Sequence, residues 1–224
     1  MKPLTTRTDD ESTLQELGKA SIQIVHDLKN QINGLKLYAT FLKRRIEKGE
    51  RPEDEQQTIT KLIVGLDRAA NDLSTIVQYG RDVELKKQPG VDLQKAVRSI
   101  CSRLNEDPSP VLCQADGEAL IGDLDPTKLS DALSWISLVA VKHRQNGGED
   151  GIVTVTVSRD DQNDNGAMIE WSGLEPIDHD PFHSFAGSDE IRMSLAAKIV
   201  EAHGGSARYE NLRFRVTLPL SREA

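Results

Sequence analysis

Val25-His26-Asp27-Leu28-Lys29-Asn30 lies inside a run that reads as one long amphipathic helix. Counting from Leu14, apolar or small residues recur at Leu14, Leu17, Ser21, Ile24, Leu28, Leu35, Tyr38 and Leu42, the alternating three-and-four spacing of a helix packed in a bundle. His26 falls two residues after one seam position and two before the next, which turns it away from the core. An exposed imidazole beside a carboxylate, with an amide one turn later, suits phosphoryl chemistry, because neutral imidazole is a nucleophile that titrates near physiological pH. Most surface histidines have no such role, so the weight of the assignment rests on the rest of the chain.

The helix is expected to begin near Asp10 or Ser12, either of which can cap it, and to run to about Lys48. At roughly 1.5 Å per residue it is about 50 Å long and needs a partner of similar length. Gly49-Glu50-Arg51-Pro52 breaks it, and from Glu53 a second helix carries Ile59, Leu62, Ile63, Leu66, Ala69, Ala70, Leu73, Ile76 and Val77 on one stripe. Two helices with broad apolar stripes cannot shield both from water, so two hairpins are expected to pair as a homodimeric four-helix bundle.

The division read from the sequence is a frayed terminus at 1–10, the hairpin at 11–80, a linker at 81–90 ending in Pro89-Gly90, and a mixed domain at 91–224. In that domain Asp92 opens a helix to about Leu104, and Val111 to Gln114 and Ala119 to Asp123 are short strand candidates. Asp125-Pro126 starts a helix to about His143. Strands follow at Ile152 to Val157 and Ala167 to Trp171, then a helix at Asp189 to His203, then strands at Ala207 to Tyr209 and Leu212 to Leu218. The fold class is α+β, a sandwich with helices on one face of a mixed sheet.

Composition narrows the partners. With 28 basic against 36 acidic residues and a net charge of −8, the chain is unsuited to general affinity for nucleic acid or an anionic membrane, leaving proteins and small molecules. No apolar run of membrane-spanning length is present, and Cys101 and Cys113 make neither a disulfide framework nor a metal-binding pair, so a cytoplasmic protein with reduced thiols is expected. Asp178-His179-Asp180-Pro181-Phe182-His183 has metal-ligand composition but reads as a solvated loop, Lys43-Arg44-Arg45 as a solvated helix face, and no metal site is assigned.

Together the two halves resemble the core of a two-component sensor histidine kinase: a dimerisation and phosphotransfer hairpin followed by an ATP-binding domain of the histidine kinase and heat-shock-protein-90 type. His26-Asp27-Leu28-Lys29-Asn30 is similar to the family's phospho-accepting box, with Gln31 where a proline usually follows. Ile199-Val200-Glu201-Ala202-His203-Gly204-Gly205 resembles the segment ending the family's last long helix. The nucleotide positions depart from the family. Trp135 and Val139 stand where two asparagines belong, and neither offers an oxygen to magnesium. Trp171 replaces the adenine-reading aspartate, Glu175 a glycine, and Glu190 and Arg192 the phosphate-cradling glycines, so side chains fill places where backbone must approach phosphate.

The resemblance therefore implies a degenerate ATPase-like domain, with the two tryptophans filling an emptied pocket. The whole chain resembles the ChpT-like histidine phosphotransferases. It implies that His26 accepts a phosphoryl group from one response-regulator receiver domain and passes it to another. Asp27 would orient the imidazole, Lys29 offset phosphoryl charge, and Asn30 position water for a phosphatase contribution. No cofactor would be bound, the magnesium coming with the receiver, and a hybrid sensor kinase is a further candidate partner. A pseudokinase-like protein that docks or sequesters a regulator or kinase is the alternative; an active ATP-dependent kinase is the reading these substitutions disfavour.

Overall fold

The computed structural model describes residues 25, 29–30, 32–44, 46–47, 53–105, 111–115, 117–144, 151–160, 163–184 and 188–221. The chain divides into two compact units, Met1–Asp82 and Val83–Ala224.

In the first unit, helix α1 is continuous over residues 32–44, with Lys29 and Asn30 also helical, and α2 spans Glu53–Tyr79. Ala39 and Ile46 are the buried positions of α1, and Ala70, Thr75 and Val77 those of α2. Small side chains at Ala39 and Ala70 suit close approach of the two backbones. Lys36 of α1 pairs with Asp67 of α2, as a helical hairpin requires. The expected seam positions are not covered within one chain: Leu35 is 57% exposed, Tyr38 70% and Leu42 51%, with Leu37 at 71% and Phe41 at 59%.

The second unit holds β1 (Gln88–Asp92), α3 (Leu93–Leu104), β2 (Val111–Gln114), β3 (Ile121–Leu124), α4 (Pro126–Lys142), β4 (Val153–Asp160), β5 (Asn163–Ser172), α5 (Ser188–Ala202), β6 (Ser206–Glu210) and β7 (Arg213–Pro219). Strands β1 and β3 form an antiparallel pair; the main sheet has the order β2-β4-β5-β7-β6, parallel only between β2 and β4. The end of the expected linker is thus a strand. Gln88 pairs with Leu124 and Val91 with Gly122, the irregularity between them absorbed at Gly90, whose positive φ of 79° removes the local turn signal's power to end the segment. The division between the two units, at Asp82 and Val83, falls within the 81–90 stretch. The second strand candidate moves to Ile121–Leu124, and Leu212 moves from a strand into the two-residue β6–β7 turn, where Asn211 and Leu212 both have positive φ.

Strict alternation gives the sheet one apolar face. Val153, Val155 and Val157 on β4, Ala167, Ile169 and Trp171 on β5, and Phe214, Val216 and Leu218 on β7 are buried. They meet the apolar stripes of α3, α4 and α5, including Val97, Leu133, Ile136, Met193 and Val200. The other face is polar, where Glu170 accepts from Arg213 at 2.7 Å and Arg215 at 3.0 Å. Gly205 packs so closely on the Thr217 carbonyl that a Cβ would collide with it, which accounts for the second glycine of the His203-Gly204-Gly205 segment.

His203 is buried and bridges two elements. Its Nδ1–H donates to the Ile199 carbonyl at 2.8 Å, and its Nε2 accepts from the Asp125 backbone N–H at 2.9 Å, so the two neighbours require one neutral tautomer. The Asp125 carboxylate caps α4 through the Thr127 and Lys128 N–H groups, both at 3.0 Å, and accepts from the Lys86 N–H at 2.8 Å. Burial alone would raise this carboxyl, but the Lys128, Lys86 and Thr127 N–H donors and the Lys128 charge hold it below its ordinary value. Burial pushes the His203 imidazole below its ordinary 6.5, aided by Lys87 and Lys128 and opposed by the Ile199 hydrogen bond and Asp125.

The segment between β5 and α5 is tied down across its described length. Leu174 bridges to Arg144, and the Glu175 N–H donates to the His143 carbonyl at 2.7 Å. Tyr209 Oη accepts from the Ile177 N–H at 2.9 Å and donates to the Glu175 carbonyl at 3.4 Å. Asp180 caps a 3-10 turn, Pro181–His183, whose buried Phe182 meets Phe214 edge-on with centroids 5.6 Å apart. Ser194 Oγ donates to the Ser184 carbonyl at 2.8 Å.

Two outcomes follow from these ties. The unfolded imidazole of His203 takes a proton as pH falls through 6.5 while the folded one resists it, so stability is full above 6.5 and declines below it. Thermal melts from neutral pH to about pH 5 should show that decline, and His203→Gln, which keeps a donor and an acceptor without titrating, should flatten it while costing about 1–3 kcal/mol at neutral pH. Tyr209→Phe should cost about 1 kcal/mol and speed amide hydrogen exchange at Ile177, measured by mass spectrometry.

Candidate functional site

Two sets of residues carry the functional question, one in each unit. In the first, His26, Asp27 and Leu28 lie outside the described residues. Lys29 is half-buried and Asn30 exposed, both in helical conformation. At 100° per residue, Asn30, Asn33, Leu37, Phe41 and Arg44 share the side of α1 opposite the buried Ala39 and Ile46. That side is exposed at all five positions and combines two amides, a guanidinium and two large apolar side chains.

In the second unit, two of the expected nucleotide-site positions, Val139 and Trp171, are buried on α4 and β5. Trp171, near the end of β5, is 1% exposed, and its Nε1–H donates to Ser137 Oγ of α4 at 2.9 Å. The same hydroxyl donates to the Leu133 carbonyl at 2.7 Å, so its proton and one lone pair are both used. Val139 is buried on the same helix, and Leu174 follows in the same layer. An indole N–H offers a donor where an aspartate would offer acceptors, and the donor is already satisfied inside the core. Among the described residues no buried side-chain nitrogen or oxygen lacks a partner.

The remaining expected residues stand apart from this layer. Trp135 is half-buried on α4, which corrects the expectation that both tryptophans fill the interior: position 135 lies on the flank of the helix, while Trp171 points into the sheet's apolar face. Glu175 contributes its backbone to the tie with His143. Glu190 lies 3.8 Å from His179, and Arg192 lies 3.9 Å from Asp189 within the first turns of α5. Side chains therefore occupy the start of that helix. His183 pairs with Asp180 at 2.8 Å and is largely exposed, and among the described residues no group of three or more His, Cys, Asp or Glu can hold a metal.

Ser137 and Tyr209 were not singled out from sequence. Neither sits in a motif, and their partners lie 34 and 32 residues away, across the sheet and the tied segment. The pairing of Trp171 with a serine on the preceding helix is legible only once strand and helix are in contact.

No family model matches the chain. The sensor histidine kinase ZraS of Escherichia coli O157:H7 is 23% identical over 223 residues, covering 93% of this chain and 47% of that protein, so the chain spans about half the length of this curated relative. Among solved structures, full-length ShkA in complex with AMPPNP superposes with a TM-score of 0.68 at 18% identity, covering 90% of this chain and 46% of that one. The Acinetobacter baumannii histidine kinase AdeS gives 0.57 at 14% identity, covering 88% and 98%. The nucleotide-free catalytic domain of histidine kinase ThkA gives 0.50 at 20%, covering 62% and 100%. Among the described residues no helix is long and apolar enough to cross a membrane. The chain has a fold of the sensor histidine kinase type, helical unit and mixed α+β unit together.

Proposed function

We propose that this chain is a histidine phosphotransferase of a two-component phosphorelay, carrying phosphate on His26 between response-regulator receiver domains without binding ATP. The observation that carries the reading is the Trp171–Ser137 pair: a buried, fully partnered indole stands where the resembling kinases read adenine with an aspartate. Losing such a buried polar contact costs on the order of 1–3 kcal/mol, and here the magnesium, adenine and phosphate positions are all replaced, by Trp135 and Val139, by Trp171 and Glu175, and by Glu190 and Arg192.

In the proposed reaction a ring nitrogen of His26 attacks the phosphorus of a receiver aspartyl phosphate in line. The P–N bond forms as the acyl P–O bond breaks, and the carboxylate returns to the receiver. Transfer to a second receiver reverses these bonds. The receiver supplies the magnesium, and this chain supplies position and nucleophile, the two contributions on which phosphoryl transfer mainly depends. Asp27 orients the imidazole and holds its proton, Lys29 offsets phosphoryl charge, and Asn30 positions water for dephosphorylation. Asn30, Asn33, Leu37 and Arg44 share an exposed side of α1, and sequence spacing at helical period would put position 26 on that side, which supports receiver docking beside the histidine.

The cytoplasmic homodimer belongs to the same proposal. Leu35, Tyr38 and Leu42 form an exposed stripe flanking the buried Ala39 and Ile46, with Leu62 exposed on α2. Water exposure of that stripe is unfavourable by about 1.5–3 kcal/mol per large side chain, and pairing two hairpins into a four-helix bundle removes it. Because symmetry counts each substitution twice, Leu42→Glu should weaken self-association by at least about a hundredfold, read as a shift to monomer in sedimentation.

The function is tested by incubating the chain with labelled phospho-receivers and following the label. Transfer to wild type, and none to His26→Ala, is the expected result; retained receiver binding with no label on His26 from any receiver would instead make the chain a docking or sequestering protein. The likeness to ShkA, whose structure holds AMPPNP, supports an ATP-dependent kinase as the competing reading. Thermal stabilisation by magnesium and nucleotide, with labelling of His26 from ATP, would establish that reading in place of ours.

A further inference from the structure

Residues 83–87 lead into the second unit without helix or strand, and Glu84, Lys86 and Lys87 are exposed. The Lys86 N–H nonetheless reaches inward, donating at 2.8 Å to the carboxylate of Asp125, a residue only 4% exposed. Asp125 turns its own N–H to His203 Nε2 at 2.9 Å, and the buried imidazole is held from its other side by the Ile199 carbonyl on Nδ1. One line of hydrogen bonds thus runs from the end of α5 through the start of α4 to the segment that enters the unit. Strand β1 begins two residues after Lys86, and its Gln88 pairs with Leu124, the neighbour of Asp125. A displacement of Asp125 therefore loosens both attachments of this segment.

The line works in one protonation state of the imidazole. A proton on Nε2 sets two donors, the ring N–H and the Asp125 N–H, against each other, and the Asp125 backbone has to withdraw. Its carboxylate, which accepts from the Lys86, Thr127 and Lys128 N–H groups, is displaced with it. Burial opposes the proton most, Lys87 of the entering segment and Lys128 of α4 oppose it further, and the Ile199 hydrogen bond and the Asp125 charge favour it. Withdrawal of Asp125 returns the imidazole to water, so the open arrangement binds the proton more readily than the closed one. The end of α5 is held separately, by the Gly205 N–H on the Val200 carbonyl at 3.0 Å, and β1 pairs with β3 and takes no place in the main sheet.

We propose that His203, Asp125 and Lys86 form a proton-operated latch: protonation of the buried imidazole frees residues 83–91 from the second unit while the main sheet stays folded. The device is a local opening with a lower free energy than global unfolding, confined to the segment through which the chain enters the second unit. Between the closed and the open proton affinities of His203, the open fraction rises by about tenfold for each unit that pH falls. The latch is independent of the phosphotransfer reading, since it uses neither His26 nor α1.

The test is amide hydrogen exchange of the full chain, read by mass spectrometry between about pH 7.5 and about pH 5.5 and corrected for the intrinsic pH dependence of exchange. Peptides covering 83–91 should exchange faster than those of β5 and β7 throughout, and their opening should rise by about tenfold per pH unit below the ordinary histidine value of 6.5. His203→Gln, which cannot titrate, should abolish that rise. Lys86→Pro, which removes the N–H without touching the core, should leave residues 87–91 weakly protected at every pH. Segment 83–91 exchanging no faster than β5 would mean that the unit opens as a whole and would overturn the latch. A pH response that is absent from the wild type or survives in His203→Gln would remove the histidine from it, and wild-type protection of 87–91 in Lys86→Pro would remove Lys86.

Discussion

The hydrogen bond from the Asp125 N–H to His203 Nε2 joins the start of α4 to the end of α5, and through these two residues ties in Ile199 and Lys86. The imidazole can accept there only because its other nitrogen donates to Ile199, and the Asp125 carboxylate is left to cap α4 and to take the Lys86 N–H. One side chain thus fixes a helix end, and the residue it meets fixes a helix start and the approach of β1. A charged imidazole would lose the acceptor on which this depends, which is why burial in a neutral state is part of the architecture.

The layer between α4 and β5 follows from a different constraint. Alternation along β5 turns Ala167, Ile169 and Trp171 toward the helices and Glu170 toward the arginines of β7. A large indole on the inner face has to bring its N–H to an acceptor, and Ser137 provides one at the facing turn of α4. Trp171 and Ser137 thus form a satisfied pair in the core. The tied segment after β5 has the same character, with Tyr209 and Phe214 of the outer hairpin holding Glu175, Ile177 and Phe182.

The two units handle apolar surface in opposite ways. In the second, helices α3, α4 and α5 cover the sheet, and large side chains such as Phe182, Phe214 and Trp171 are sealed. In the first, two helices cannot enclose their stripes, and Leu35, Leu37, Tyr38, Phe41 and Leu42 remain in water. The exposed residues fall on two sides of α1. One side flanks Ala39 and Ile46, and the opposite side carries Asn30 and Arg44.

Local chemistry wrote much of the fold directly into the chain. Asp92 and Asp125-Pro126 marked the starts of α3 and α4, and Val-Thr alternation marked β4, because capping and side-chain period depend on neighbours within a few residues. The same locality misled where a distant partner decided the outcome: Pro89-Gly90 read as the end of a linker, but pairing with β3 drew that segment into a strand. His203 read as a helix terminus and is a cross-element tie, and Trp135 read as interior and lies on a flank. The sequence by itself determined which residues could cap, alternate and face inward. Only the tertiary structure decided which of them meet, because hydrogen bonds between residues far apart in the chain are set by register and packing, on which short-range spacing carries no information.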